Sequence, residues 1–136
     1  MLLYHASTVK IKDFYVPLGG IHVGGRFSAL EAALRKVRSS DDPNVSHVYV
    51  HLLEVDVGRS MGIEDMGGCD AWRCSMHIAQ SDGFNSLEYL NKFEPDVVHS
   101  FVLWEPNRIK VLKCSVLSQD EAEDIVNEFY DENGFY

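Results

Sequence analysis

Two histidines lie in short stretches of strand character, where their rings could act on a bound substrate. His5 ends the apolar run 2–5, and His22 lies between Ile21 and Val23, with a pair of glycines on either side. Glycine at such places usually marks a close approach to the backbone. Two imidazoles can give and take protons, which is the chemistry of a metal-independent ribonuclease. Basic patches are scarce, however, and a lone histidine is more often structural, so this hypothesis is the weakest of those considered below.

The glycine-rich stretch 19–25 does not match the common phosphate-binding loops. Gly20 and Gly25 have the spacing of a P-loop, but Arg-Phe follows where that motif needs Lys and then Ser or Thr. The dinucleotide fingerprint G-x-G-x-x-G is absent as well. Ser28 and Glu31 form a capping box. The stretch therefore predicts a strand and a turn, followed by a helix that opens at Ser28.

The second cluster of chemically active residues is Cys69, Cys74 and His77. Zinc sites usually combine a tight pair of thiols with a second pair elsewhere in the chain. The second pair is missing here. We therefore expect no metal site.

Charge is unevenly distributed along the chain. The 136 residues carry a net charge of -9, and seven acidic residues without any Lys or Arg follow residue 117, which leaves residues 1–117 with 12 basic and 14 acidic side chains. Tight binding to nucleic acid needs clustered basic residues and is disfavoured. One small cluster, Arg35, Lys36 and Arg38, lies near the end of the first predicted helix, where it is interpreted as pairing with the helix dipole.

Length and composition predict one domain over residues 1–136. No run of 18 apolar residues is present, and the start of the chain lacks the pattern of a signal peptide, so we expect no membrane segment. An odd number of cysteines, three, argues against a disulfide framework and for a reducing compartment. A cytoplasmic protein is the expectation.

The elements that must position these residues follow from hydrophobic periodicity. Strands are predicted at 2–5, 21–23, 45–57, 84–89, 97–104 and 108–117, and helices from Ser28 to about 37, at 70–80 and at 118–132. Residues 9–14 are ambiguous, and 58–68 is predicted to be a loop. The last helix has an acidic outer face and opens with a capping box. This set of elements predicts an α+β fold with a largely antiparallel sheet.

Four stretches in order resemble the ADP-ribosyltransferase superfamily, especially its small bacterial and phage members. Residues 3–7 (LYHAS) resemble the His-Gly-Thr/Ser of its first strand, and 20–24 (GIHVG) with the following Ser-Ala resemble its second strand. Residues 83–94 resemble its Gly-Tyr and Tyr-x-Asn-x-x-Glu segment. Residues 99–110 resemble a closing strand of the type Asp-Ser-Tyr-Val-Val-Phe-Asp-Pro-x-x-Ile-Lys. The resemblance covers residues 3–112.

The resemblance implies split antiparallel sheets around an NAD cleft, with flanking helices. It implies a mono-ADP-ribosyltransferase that cleaves the nicotinamide–ribose bond of NAD and transfers ADP-ribose to a macromolecular acceptor, more readily a protein than a nucleic acid. His5 would orient the ribose, His22 would stack on nicotinamide, and Glu94 would stabilise the developing charge. The NAD-binding residues implied are His5, Ser7, Gly20, His22, Gly24, Tyr89, Asn91 and Ser100.

Two departures from the family pattern keep an alternative open. Ala6 replaces a glycine, and Ser100 stands where many transferases carry the catalytic Glu. Glu94 is the candidate carboxylate, with Asp96 as a weaker one. A chain without a placed carboxylate would be a degraded member that binds and does not catalyse, with the acidic C-terminal helix as docking surface for a basic partner. For either hypothesis, the biological setting of a toxin, a phage protein or a regulator stays open.

Overall fold

The computed structural model describes residues 1–67, 69–92 and 98–132. The described residues form an α+β fold with two sheets and three helices, as predicted. In chain order the elements are β1 (Leu2–Ser7), β2 (Ile21–Val23), α1 (Arg26–Ser39), β3 (His47–Val55), β4 (Ser60–Gly62), α2 (Ala71–Ser81), β5 (Ser86–Tyr89), β6 (Ser100–Leu103), a short 3-10 helix (Pro106–Arg108), β7 (Ile109–Ser118) and α3 (Gln119–Glu132).

The strands form two separate sheets that meet at one point. The first sheet has the antiparallel order β1-β3-β7, and the second has the order β2-β6-β5-β4, in which only β4 and β5 are parallel. Tyr4 of β1 and Gly24, directly after β2, exchange two backbone hydrogen bonds of 2.7 and 2.9 Å. This bridge brings the ends of β1 and β2 together, and with them His5 and His22.

Three apolar clusters hold the layers together. The cluster between the two sheets is formed by Leu3, Ile21, Val23, Leu53, Val55, Phe101 and Leu103. On the other face of the first sheet, α1 and α3 pack together on β1 and β3. Helix α2 packs Trp72 and Met76 on the second sheet. The chain thus builds two sheets and flanking helices around the β1–β2 junction.

The N-cap of helix α1 lies three residues earlier than its capping box predicts. Its first residue is Arg26, Gly25 occupies the N-cap position, and no side chain caps the helix. Ser28 therefore lies inside the first turn, with its hydroxyl buried and without a hydrogen-bond partner in the structure. The expected partner Glu31 accepts instead from Arg38, at 3.2 Å. The backbone bridge to Tyr4 fixes the entry to the helix and overrides the local capping signal.

Helix α3 follows its sequence signals closely. Ser118 and Glu121 form the predicted capping box, with hydrogen bonds of 3.1 and 3.2 Å in the two directions. Val126 is buried against α1 and the first sheet, Ile125 packs at the edge of the same cluster, and Phe129 is half-buried. The acidic tail is therefore part of the folded body.

One strand lies in a stretch that the sequence predicted to be a loop. Strand β4 lies in the stretch 58–68 that was predicted to be a loop, where it pairs with β5 along three residues. Three residues with a glycine at the end carry too little periodicity to predict a strand.

Within 1–67, 69–92 and 98–132, every helix is too short or too polar to span a lipid bilayer.

Candidate functional site

A large cleft opens at the junction of β1 and β2. Its volume is about 1360 Å³, and its walls are β1, the segment 8–20, one face of α1, the start of α2 and the ends of β5 and β6. All eight residues that were predicted to bind NAD line this cleft: His5, Ser7, Gly20, His22, Gly24, Tyr89, Asn91 and Ser100. Residues far apart in sequence are thus brought to one place.

His5 offers an open hydrogen-bond acceptor to the cleft. Its Nδ1 lies 2.7 Å from the carbonyl oxygen of His22, and because a carbonyl only accepts, Nδ1 carries the proton. The pKa of His5 is lowered from 6.5 to about 4, mainly by burial and also by the charge of Lys36, against the opposing effect of that hydrogen bond. The ring is therefore neutral at pH 7. No residue in the described ranges donates to Nε2, which leaves its lone pair available to a ligand.

His22 has both ring nitrogens engaged within the protein. Nε2 donates to the carbonyl of Gly19 at 3.0 Å, so Nδ1 accepts from the hydroxyl of Tyr89, also at 3.0 Å. Burial is the main cause that lowers the pKa of His22. The ring of Trp72 meets it edge to face at 4.9 Å. His22 therefore supplies aromatic surface and has no free nitrogen for acid–base catalysis, which removes the second group that the ribonuclease hypothesis requires.

An aromatic cluster lines the cleft around His22. The rings of Trp72 and Tyr89 are 4.8 Å apart, and Trp72 is fixed by a 2.7 Å hydrogen bond from its indole nitrogen to the carbonyl of Gly67. Phe14 meets His5 edge to face at 5.3 Å on the opposite side. Planar, polarisable walls of this kind suit a flat heteroaromatic ligand.

Two glycines that were predicted to bind NAD, Gly20 and Gly24, are required by packing of the protein itself. Gly20 has φ +79°, and a side chain there would collide with Val102 of β6. A side chain at Gly24 would overlap the hydroxyl of Ser100. Ser100 is buried and bonded to Asn91 in both directions, at 2.8 and 3.1 Å. These contacts draw β2 and β6 close together at the floor of the cleft.

The lining of the cleft has more basic than acidic side chains, although the whole chain is acidic. The described lining residues include five basic side chains against three acidic ones: Lys10, Lys12, Arg35, Lys36 and Arg73 against Asp13, Asp65 and Asp70. The sequence interpretation grouped Lys36 with Arg38 as partners of the helix dipole. Arg38 indeed pairs with Glu31 and Glu123, at 3.2 and 3.3 Å, whereas the charge of Lys36 acts on both site histidines. Low-dielectric walls focus such a field on an anionic ligand.

The described carboxylates of the cleft include one that sequence reasoning missed. Asp65 is buried and accepts backbone hydrogen bonds from Gly67 and Lys92, at 2.8 and 2.9 Å. Both oxygens are thus engaged in holding two loops together. The predicted catalytic residue Glu94 and its alternative Asp96 lie outside the described residues. Lys92, which Asp65 fixes, is two residues before Glu94.

His51 was not identified from the sequence as part of the site. It is the direct cross-strand neighbour of His5 in the β1–β3 pairing, with ring centroids 6.4 Å apart. A strand register of this kind depends on the pairing of distant segments and has no local signal. In the described part of the chain, no group of three His, Cys, Asp or Glu residues is arranged to hold a metal ion.

No model of a protein family matches this chain, and no curated protein sequence matches it. Its fold is similar to that of a chain in the crystal structure of the M. tuberculosis MbcT–MbcA toxin–antitoxin complex. The TM-score is 0.61, the match covers 93% of this chain and 88% of that chain, and the sequence identity is 8%. At this identity the likeness establishes a shared fold.

Proposed function

We propose that this protein is a mono-ADP-ribosyltransferase, which cleaves the nicotinamide–ribose bond of NAD and transfers ADP-ribose to a macromolecular acceptor, most readily a protein. The observation that carries the proposal is the neutral His5, whose one open nitrogen faces a cleft lined by all eight residues that the family resemblance implies. An acceptor of this kind suits a ribose hydroxyl.

Two groups of lining residues fit two parts of NAD. The aromatic surface of His22, Trp72 and Tyr89 suits the flat nicotinamide ring. The basic side chains of Lys10 and Lys36 suit the central pyrophosphate, because phosphate binding needs nearby positive charge.

The reaction breaks the bond between the ribose C1′ and the nicotinamide nitrogen. The bond pair leaves with nicotinamide, which becomes neutral, and positive charge develops on the ribose, as in glycoside cleavage. A nucleophilic side chain of the acceptor then attacks C1′ and loses its proton. Protein groups accelerate such a step when they are arranged for the transition-state charge. We assign this role to Glu94, with His5 holding the ribose.

The proposal is tested by incubating the protein with NAD labelled in the adenine ring, together with a cell lysate. We expect label on protein and release of nicotinamide. Glu94→Gln keeps the shape of the side chain and removes its charge, so turnover should fall by about 10²–10³ with NAD binding nearly unchanged. Glu128→Gln, on the exposed face of α3, is the matched control. Wild-type protein that binds NAD and releases no nicotinamide would contradict the enzymatic proposal.

A second candidate is a binding module that kept the fold and lost catalysis. The observation that favours it is the pairing of Ser100 with Asn91 at the position where many transferases carry a carboxylate. The similar structure belongs to a toxin–antitoxin complex, and in this candidate the present chain would likewise act with a protein partner, a basic one docking on α3. Equal nicotinamide release by wild type and Glu94→Gln, at the level of buffer alone, would select this candidate.

A further inference from the structure

His51 is a buried titratable residue that has no part in the chemistry proposed above. Its side chain is fully buried in the central strand of the first sheet. Nδ1 lies 3.1 Å from the carbonyl oxygen of His5 and therefore carries the proton, while Nε2 lies 2.9 Å from the backbone nitrogen of Ile11 and accepts its hydrogen. One neutral ring thus connects the strand that carries His5 with the segment 8–20.

The segment 8–20 has few other attachments to the body. It forms no helix or strand. It is tied at its start by the side chain of Ser7, which bonds to Val9. At its end it is held by the turn from Pro17 to Gly20 and by the hydrogen bond from His22 to the carbonyl of Gly19. Between these ends, Phe14 packs against His5 and the cluster between the sheets. This segment nevertheless contributes one whole wall of the cleft, including Lys10, Lys12 and Phe14.

We propose that His51 is a positioning residue of the ligand site, which sets the backbone of His5 and fixes the wall 8–20 by holding the amide of Ile11. The ligand-binding part of this inference rests on the proposed function, because it takes NAD as the probe. Side chains that touch a ligand keep their geometry only when a second layer of hydrogen bonds fixes them. His51 supplies hydrogen bonds of this kind to two lining segments of the cleft, β1 and the segment 8–20, with a single ring.

The surroundings of His51 favour the neutral ring that these two bonds require. Burial is the main cause that lowers its pKa, and the positive charge of Lys10 acts in the same direction, against the opposing effect of hydrogen bonds to the backbone of His5 and Tyr49. His5 faces it from β1, and Cys114 is its partner in the β3–β7 pairing. A protonated ring would carry hydrogens on both nitrogens and would lose the bond from Ile11.

Three variants separate the two bonds. His51→Phe keeps the ring and loses both bonds, His51→Gln can still accept from the amide of Ile11, and His51→Asn can still donate to the carbonyl of His5. The matched control is His47→Gln, because His47 lies on the same strand and is exposed. The measurements are hydrogen exchange of the Ile11 amide by NMR and the dissociation constant of NAD by calorimetry.

In His51→Phe we expect the Ile11 amide to exchange at least about tenfold faster than in wild type, since its hydrogen bond is lost. We expect the dissociation constant of NAD to rise about 2- to 10-fold, because this is the usual net contribution of one hydrogen bond. His51→Gln should restore protection of Ile11 and most of the affinity, and His51→Asn should not protect Ile11. Unchanged exchange of Ile11 in His51→Phe would overturn the proposal, as would unchanged NAD affinity in a variant whose Ile11 has lost protection.

The ring of His51 in the wild-type protein gives a test that needs no variant and no ligand. Nitrogen NMR should find the proton on Nδ1 and none on Nε2 at pH 7. A proton on Nε2 would overturn the proposal even if every variant failed to fold. Absence of NAD binding by wild type would contradict the proposed function, whereas the exchange of Ile11 and the tautomer of His51 decide whether His51 holds the wall.

Discussion

His5→Asn tests the electrostatic account of the site through the stability of the protein in acid. An Asn side chain places an amide nitrogen near the position of Nδ1, so it can still donate to the carbonyl of His22. It cannot take up a proton. The substitution therefore removes the titration of His5 while keeping the one hydrogen bond that its ring makes to the backbone.

The sign and size of the effect follow from the lowered pKa of His5. Its pKa is about 4 in the folded protein and 6.5 in the unfolded chain. Between these values the unfolded chain binds more protons than the folded protein. The contribution of His5 to the free energy of unfolding is therefore fully present above pH 6.5 and is lost as the pH falls towards 4. Each pH unit costs about 1.4 kcal/mol, so this residue alone accounts for a loss of about 3 kcal/mol between pH 6.5 and 4.

Urea unfolding at pH 4, 5, 6 and 7 measures this loss. We expect the wild-type free energy of unfolding to fall more steeply with acid than that of His5→Asn, by about 3 kcal/mol over the whole range. His22 and His51 also have lowered pKa values and add to the slope of both proteins, so the difference between the curves isolates His5. His47→Asn is the control for loss of a surface histidine. Parallel curves for wild type and His5→Asn would refute the reasoning.

Three further predictions concern packing and charge. Gly24→Ala forces a methyl group against Ser100 and should lower the free energy of unfolding by about 1–3 kcal/mol, whereas Gly62→Ala meets open space; urea unfolding compares the two. Lys36→Gln should weaken NAD binding several-fold and reduce its salt dependence, as measured by calorimetry at two ionic strengths. Phe129→Ala removes a half-buried ring that stacks on Phe27 of α1, with ring centroids 4.0 Å apart. The free energy of unfolding should fall by about 2 kcal/mol, as measured by thermal or urea unfolding. An unchanged midpoint would show that α3 does not stabilise the body.

Sequence patterns predicted most of the elements because the signals concerned are local. The capping box at Ser118 and the amphipathic face with Val126 suffice to begin α3 and to orient it. The predicted N-cap of α1 was wrong by three residues because a long-range bridge between Tyr4 and Gly24 outweighs the local signal at Ser28. Strand β4 is too short to show any period.

The sequence predicted only those residues of the candidate site that belong to stretches resembling a family motif. His5 and His22 stand in motif-like stretches, and the structure brings both to one cleft. His51, Asp65 and Lys36 had no such signal, because their proximity to the site arises from strand register, from loop closure and from the face of α1 that meets the cleft. Tertiary pairing of this kind leaves no trace in residue spacing.

The most direct test of the account is a titration of protein labelled with ¹⁵N in its histidine rings with NAD. The central claim is that Nε2 of His5 accepts a hydrogen bond from bound NAD, so its resonance should shift in a saturable manner at pH 7. The ring of His47, which is exposed on β3, should remain unchanged. No change at Nε2 of His5 at millimolar NAD, with the protein folded, would contradict the claim.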